Sequence, residues 1–173
     1  MEKKIFFIDF DGTLMRDDKT ISDKNREALR NAVDQGHYIA LATGRAVSSG
    51  RRIAKELGLT RPGCYLVAYN GGTIYDFSAD CILSNKRLPI EYAEYLLREA
   101  TEAGIHIQTY SETQVLSRER DKELNFYVKK TGMPCRITGN LNSMLYEEPP
   151  KMLLIDLDHK ERLEAFQQAH AEW

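Results

Sequence analysis

Cysteine is scarce in this chain: three in 173 residues, Cys64, Cys81 and Cys135. An odd, scattered set with no metal-ligand spacing excludes a disulfide framework and a cysteine-based metal site. The four histidines (His37, His106, His159 and His170) are as dispersed, and all seven residues read as packing or surface positions. Long apolar runs are lacking too, and none approaches the roughly 20 residues that span a bilayer. Met1-Glu2-Lys3-Lys4 followed by Ile5-Phe6-Phe7-Ile8 has the start of a secretory signal, but Asp9 ends the apolar stretch. An h-region needs about 7–15 apolar residues, so a cytoplasmic protein with no membrane partner is expected. A net charge of −2 gives no bulk attraction for nucleic acid or anionic lipid. Repeats and low-complexity segments are also absent.

What remains is an ordinary globular composition, 42% hydrophobic and 29% charged, long enough for one domain plus a small second unit. Ile5 to Ile8 is wholly apolar, as in a strand buried on both faces. Ser22 is placed to cap a helix from Asp23 to Gln35, whose Ala28, Leu29, Ala32 and Val33 share one face, with Gly36 as its terminator. Tyr38 to Ala42 reads as a second strand, Ser48 to Leu57 as a helix closed by Gly58, and Cys64 to Tyr69 as a third strand. Alternation of this kind predicts a parallel sheet with right-handed crossovers. After Gly72 the rhythm changes. Thr73 to Phe77 and Cys81 to Arg87 predict a hairpin around Ser78-Ala79-Asp80. Then follow a helix from Glu91 to Ala103 ended by Gly104, one alternating strand over 105–117, a helix from Asp121 to Lys130, an apolar strand from Lys151 to Leu157, and a helix from His159 to Trp173. The fold class expected is α/β, a Rossmann-like parallel core over 1–81 with a second α+β unit over 82–173.

The strongest chemical signal is Asp9-Phe10-Asp11-Gly12-Thr13-Leu14, directly after the first strand. Ligands of open parallel sheets bind at the carboxyl ends of strands. Two carboxylates two residues apart repel unless a cation or proton offsets them, and Mg²⁺ prefers such hard oxygen ligands. A carboxylate can also attack phosphorus to give an aspartyl-phosphate, and Gly12 lets the chain turn away. Ala42-Thr43-Gly44-Arg45 ends the second strand: Thr43 offers a hydroxyl and a backbone N–H to phosphate, and Gly44 permits close approach. Asn70-Gly71-Gly72 ends the third strand and, alone, is merely a turn. The three strand ends converge on one crevice.

The hexapeptide resembles the first motif of the haloacid dehalogenase superfamily. The order of the three motifs is similar to its Cof-type branch, with an α/β cap inserted after the third strand. That resemblance implies a Mg²⁺-dependent phosphatase acting on small phosphorylated metabolites, with residues 82–173 as cap. Asp9 would attack phosphorus, and Asp11 would protonate the leaving oxygen and then activate water. Mg²⁺ would bind the Asp9 carboxylate and the Asp11 carbonyl. Thr43 would contact the phosphoryl oxygens, Gly12 and Gly44 would let the loops approach, Asn70 and Gly71 would border the pocket, and Arg45 would hold that pocket or contact the cap.

The family pattern also has a phosphate-binding lysine and a second acidic metal loop after the cap, and this chain ends without them. Asp156-Leu157-Asp158 lacks the following Gly-Thr and reads as a decoy, and Lys151 as a cap residue. The expected alternatives are a phosphomutase or a non-catalytic remnant. In the family's sheet, later strands lie beside the nucleophile strand. Here Ile5 to Ile8 is therefore expected to be an open edge, through which the chain self-associates unless it is a fragment of a longer protein.

Overall fold

The computed structural model describes residues 2–140 and 142–172. Two compact units part between Lys86 and Arg87. The first is a five-stranded sheet of β1 (Ile5–Asp9), β2 (Tyr38–Ala42), β3 (Cys64–Ala68), β4 (Thr73–Asp76) and β5 (Cys81–Asn85), in that spatial order. β1, β2 and β3 run parallel, while β4 and β5 are antiparallel additions. The division expected at 81/82 falls at the head of β5, whose ladder to β4 ties it to the first sheet.

Two helices make the crossovers: α1 (Asp23–Asp34) between β1 and β2, and α2 (Val47–Leu57) between β2 and β3. Ser22 caps α1, its side chain accepting from the Asn25 N–H. Gly58 closes α2 at φ 73°, a left-handed conformation that costs a glycine little. Both helices lie on one face of the sheet. Ala28, Leu29 and Ala32 of α1 line a groove with Phe6, Ile8 and Ile39. On α2, a Cβ at Gly50 would stand 2.5 Å from Leu66, whose ladder partner is Leu41 and, beyond it, Ile8. The opposite face carries Ile5, Phe7, Tyr38, Ala40, Tyr65 and Val67. Of these Ala40 is buried, Tyr38, Tyr65 and Val67 are half-buried, and Ile5 and Phe7 are exposed.

The second unit holds α3 (Ile90–Glu102), β6 (His106–Tyr110), β7 (Val115–Ser117), α4 (Lys122–Thr131), β8 (Cys135–Ile137), β9 (Met152–Ile155) and α5 (Lys160–Ala169). Its sheet order is β8-β7-β6-β9. Leu97, Ala100, Ile107 and Met144 form its buried core, with Leu154 and Phe166 packed against them. The single strand expected over 105–117 is two strands in antiparallel pairing. They turn where Ser111 N–H donates to the Gln114 carbonyl and the Ser111 hydroxyl accepts from Gln114 N–H. β8 was not expected at all, and Trp173, the expected end of the last helix, lies outside the described residues.

β6 carries polar residues within a strand. His106, Gln108 and Tyr110 share one pleat, Gln108 fully buried and Tyr110 nearly so. His106 Nδ1 lies 2.6 Å from Asp121 Oδ2 and its Nε2 3.1 Å from Gln108 Oε1, while Gln108 Nε2 donates to the Tyr110 hydroxyl. Asp121 also caps α4, accepting from the Leu124 N–H at 2.8 Å. Asp156 is held by Arg162 Nε at 2.7 Å and by the backbone N–H groups of Asp158 and His159. That is a structural role at the head of α5, and it agrees with the sequence reading of Asp156-Leu157-Asp158.

Candidate active site

β1 ends at Asp9, and the chain leaves the sheet in a tight coil. Leu14 N–H donates to the Asp9 carbonyl, Met15 N–H to the Phe10 carbonyl and Gly12 N–H to the Met15 carbonyl. Gly12 makes this turn at φ 80°, where a side chain would be strained. Phe10 and Leu14 point into the core, at 0% and 4% exposure. Alternation therefore leaves Asp9 and Asp11 in the open. The buried hydrophobes of the motif thus set the direction of its two acids.

The ends of β2 and β3 are laced to each other by backbone hydrogen bonds. Thr43 N–H donates to the Val67 carbonyl, Asn70 N–H to the Thr43 carbonyl and Tyr69 N–H to the Arg45 carbonyl. The Thr43 hydroxyl accepts from the Arg45 N–H at 3.1 Å. Tyr69 and Asn70 hold left-handed backbones at φ 51° and 56°, and Gly71 stands at φ 100°. Non-glycine residues in that region carry strain of about 1–3 kcal/mol. Here the strain buys the lacing that fixes the Thr43–Arg45 loop.

Arg45 joins this pair of loops to β1. Its guanidinium grips Asp11 with both prongs, Nη2 to Oδ1 at 2.6 Å and Nε to Oδ2 at 2.8 Å. The Arg45 side chain is only 10% exposed and Asp11 is 46% exposed, so the cation is anchored and the acid faces solvent. Lys19 adds a second contact, Nζ to Asp11 Oδ1 at 3.1 Å. Hydrogen bonding from Arg45, more than that from Lys19, holds the Asp11 carboxyl below the usual carboxylate range against the opposing effect of partial burial. The repulsion expected between two neighbouring carboxylates is thus offset on the Asp11 side by protein cations.

The structure therefore brings Asp11, Gly12, Thr43, Gly44, Arg45, Asn70 and Gly71 onto three consecutive strand-end loops beside Asp9. Sequence reasoning left the role of Arg45 open and passed over Lys19. The signal for Lys19 was present in Asp18 and Thr20: both the Thr20 N–H and its hydroxyl donate to Asp18 Oδ1. That turn, closed by Lys19 N–H to the Arg16 carbonyl and Arg16 N–H to the Thr20 carbonyl, sets Lys19 at φ 66°.

At the end of β1 the exposed Asp9 carboxylate is one oxygen donor a cation could use. Among the described residues no three acidic, histidine or cysteine side chains cluster as a metal cage. Such a sparse set fits Mg²⁺, which keeps several waters and is held by one or two carboxylates together with substrate phosphate.

Comparison with known proteins agrees with this geometry. A family model described as haloacid dehalogenase-like hydrolase matches residues 6–173. The 5-amino-6-(5-phospho-D-ribitylamino)uracil phosphatase YcsE of Bacillus subtilis is 42% identical over 73 residues, 42% of this chain and 28% of that protein. A second Bacillus subtilis phosphatase of that name, YwtE, is 33% identical over 117 residues, 66% of this chain and 38% of that protein. Among solved structures, a haloacid dehalogenase-like hydrolase from Bacteroides thetaiotaomicron matches with a TM-score of 0.85 at 26% identity, covering 98% of this chain and 63% of that one. A Thermotoga maritima protein matches at 0.80 and 26% identity, covering 99% and 62%. The aligned chain spans well under half of these curated relatives and just under two thirds of the solved ones. With its motif-bearing strand ends assembled as described and all but a few of its residues matched, the chain belongs to the haloacid dehalogenase-like hydrolase family.

Proposed function

We propose that this chain carries the nucleophile-bearing core of a Cof-type phosphatase for small phosphorylated metabolites, with residues 82–173 as its cap domain. The observation that carries this reading is the convergence of Asp9, the Arg45–Asp11 pair and the Thr43 loop on one end of the parallel strands. In the first step the Asp9 carboxylate attacks the phosphorus of a phosphomonoester. The bond to the leaving oxygen breaks, Asp11 supplies the proton to that oxygen, and an aspartyl-phosphate remains on Asp9. In the second, Asp11 takes a proton from water, whose oxygen attacks the same phosphorus, and inorganic phosphate leaves with Asp9 restored. The Thr43 hydroxyl would hydrogen-bond the phosphoryl oxygens, its N–H being given to the Val67 carbonyl, while Asn70 and Gly71 would border the pocket. Gly12, where a Cβ would meet nothing within 4 Å, would let the substrate approach closely, as would Gly44.

Both oxygens of Asp11 are engaged by Arg45 and Lys19 in the free chain. Catalysis by Asp11 therefore requires these cations to turn toward an entering phosphate, which offers them the same kind of oxygen partners. Mg²⁺, held by the Asp9 carboxylate and the Asp11 carbonyl, would supply charge neutralisation at the phosphoryl oxygens. The names of the relatives support phosphomonoester substrates: YcsE and YwtE are named for a ribitylaminouracil phosphate, and an Escherichia coli relative, 29% identical, for pyridoxal phosphate. Free thiols at Cys64, Cys81 and Cys135 support a cytoplasmic setting. No helix among the described residues is long and apolar enough to cross a membrane. The partner interaction belonging to this reading is self-association through the open β1 edge.

Hydrolysis of p-nitrophenyl phosphate with Mg²⁺, in the chain and in its Asp9→Asn variant, tests the assignment. Turnover lost in the variant, with no sugar bisphosphate required, is expected. A requirement for a sugar bisphosphate would make the protein a phosphomutase. Phosphate binding without any turnover would make it a non-catalytic binder.

A further inference from the structure

A cleft of about 400 Å³ lies between α2 and the β4–β5 hairpin. Arg51, Arg52 and Lys55 line it from α2, and Tyr75, Phe77 and Asp80 from the hairpin, three cations against one acid. β4 stands three strands from β1 in the sheet. The cleft also lies at the end of the sheet opposite the candidate active site. Asp76 pairs with Tyr65 at the foot of β3, whereas Asp9 pairs with Ala42 at the head of β2. The phosphatase chemistry proposed above uses none of these side chains.

More than a charged stretch of helix is present here. Tyr75 and Phe77 form a buried floor, their rings meeting edge to face at 5.6 Å. The Arg51 guanidinium lies over the Tyr75 ring, 5.2 Å from its centroid, a contact that orients its fork. A carboxylate is already seated on the pair. Asp80 Oδ1 accepts from Arg51 Nη2 at 2.8 Å and also from the Tyr75 hydroxyl. Burial first, and then the bond to Asp80, pushes the Tyr75 pKa up to about 12, so its hydroxyl remains a donor at neutral pH. Asp80 is thus the chain's own sample of what the cleft takes: an anionic oxygen held between a guanidinium and a phenol. Its hold is weak, since Arg51 is 53% and Asp80 68% exposed. Arg52 is paired with Glu56 at 2.9 Å, equally in the open. A phosphoryl group carries more charge and more oxygens than a carboxylate, and it too forms bidentate bonds with arginine. Arg51 and Lys55 stand one helical turn apart, about 5–6 Å between Cβ atoms. Two linked phosphoryl groups bridge that interval better than one does.

We propose that this cleft binds a small diphosphate, inorganic or carried by a nucleoside. One phosphoryl group replaces the Asp80 carboxylate on Arg51 and the Tyr75 hydroxyl, and the second lies between Arg52 and Lys55. A nucleoside attached to the diphosphate meets Phe77 on the same floor. The residues are distinct from Asp9, Thr43 and Arg45, so the site stands or falls independently of the phosphatase reading.

Calorimetric titration of the whole chain with pyrophosphate and, separately, with ADP, in buffer freed of divalent metal, provides the test. Pyrophosphate is expected to bind with a Kd of about 0.1 mM or tighter, both to the unaltered chain and to Arg45→Met, whose strand-end loops lack their guanidinium. Arg51→Gln/Lys55→Gln is expected to weaken this binding at least about tenfold. Its far-ultraviolet spectrum should be unchanged, because both side chains are exposed. Asp80→Asn, which removes the competing charge, is expected to tighten binding about threefold. ADP bound as well as pyrophosphate places recognition in the diphosphate, ADP bound more tightly adds the nucleoside, and pyrophosphate bound without ADP makes the ligand inorganic; each supports the site. No binding by the unaltered chain overturns the proposal, as does affinity that survives Arg51→Gln/Lys55→Gln. Orthophosphate bound as tightly as pyrophosphate by Arg45→Met also overturns it. So does pyrophosphate binding lost in Arg45→Met, because the anion then sits at the strand ends.

Discussion

The two sheets of this molecule treat polar side chains in opposite ways. In the first, β1, β2 and β3 are apolar along their lengths, and polar groups collect where the strands stop: Asp9, Asp11, Thr43, Arg45 and Asn70. In the second, β6 holds His106, Gln108 and Thr109 in the body of the strand, and β7 holds a buried Ser117. His106 and Gln108 spend their hydrogen bonds on each other, on Tyr110 and on the α4 cap, and the Thr109 and Ser117 hydroxyls donate to the Lys151 and Glu119 carbonyls. Asp11, by contrast, remains half open to solvent despite its two cations. A polar group that is buried and satisfied rigidifies a fold, while one left at a strand end keeps a face for a ligand. Burial and completeness of partners thus separate the two roles better than residue type does.

Three substitutions would sharpen or break that contrast. The largest effect on stability is expected in the second unit. Asp121→Ala removes the α4 cap and strands His106 Nδ1, for a loss of about 2–4 kcal/mol in urea unfolding. A loss near zero would mean that the buried chain is not structural. Gly50→Ala comes next. Its Cβ would meet Leu66 Cδ2 at 2.5 Å and Cδ1 at 2.6 Å, and Leu66 is fully buried among packed neighbours. Overpacking of about 1–3 kcal/mol, less the gain of about 1 kcal/mol from removing a helical glycine, leaves a net loss of up to roughly 2 kcal/mol. An unchanged melting curve would show α2 free to slide on β3. Arg45→Met is expected to change stability by under about 1 kcal/mol, because Asp11 stays hydrated. It should weaken inorganic phosphate binding roughly tenfold or more by calorimetry. A large stability loss with unaltered phosphate affinity would move Arg45 to the structural class.

The first unit was largely readable because its signals are local. Wholly apolar strands, the Ser22 cap and the terminator Gly58 mark each boundary with a residue whose chemistry demands it. Ser22 and Gly58 stand where the sequence placed them, while β3 ends at Ala68 rather than Tyr69, and Ile5, Phe6 and Phe7 are exposed rather than buried on both faces. The strand-end motifs were readable for the same reason, since alternation in a strand followed by Gly12 leaves little choice for the direction of Asp9 and Asp11. The second unit was harder. The turn between β6 and β7 is made by Ser111-Glu112-Thr113-Gln114, without glycine, proline or asparagine. It closes on a serine hydroxyl and one backbone bond, so the residues read as one strand. β8 is three residues long and mostly exposed, too short for any pattern to show. The grip of Arg45 on Asp11 spans 34 positions of sequence; only the folding of the β2 loop beside β1 creates it. His106 read as a packing residue, which is what it is, but its partnership with Asp121 required the tertiary structure.

Strand order also carries a history of assembly. β1, β2 and β3 are neighbours in space in the order in which a ribosome delivers them, so each can be zipped to its predecessor as it emerges. The second sheet cannot grow that way. β6 sits between β7, which follows at once, and β9, whose Met152–Ile155 arrives only after α4 and β8 have been made. During synthesis the flank of β6 that pairs with β9 therefore stays unmet until Met152–Ile155 has been made. The first unit, by contrast, is built in chain order and leaves Ile5, Phe6 and Phe7 of β1 exposed.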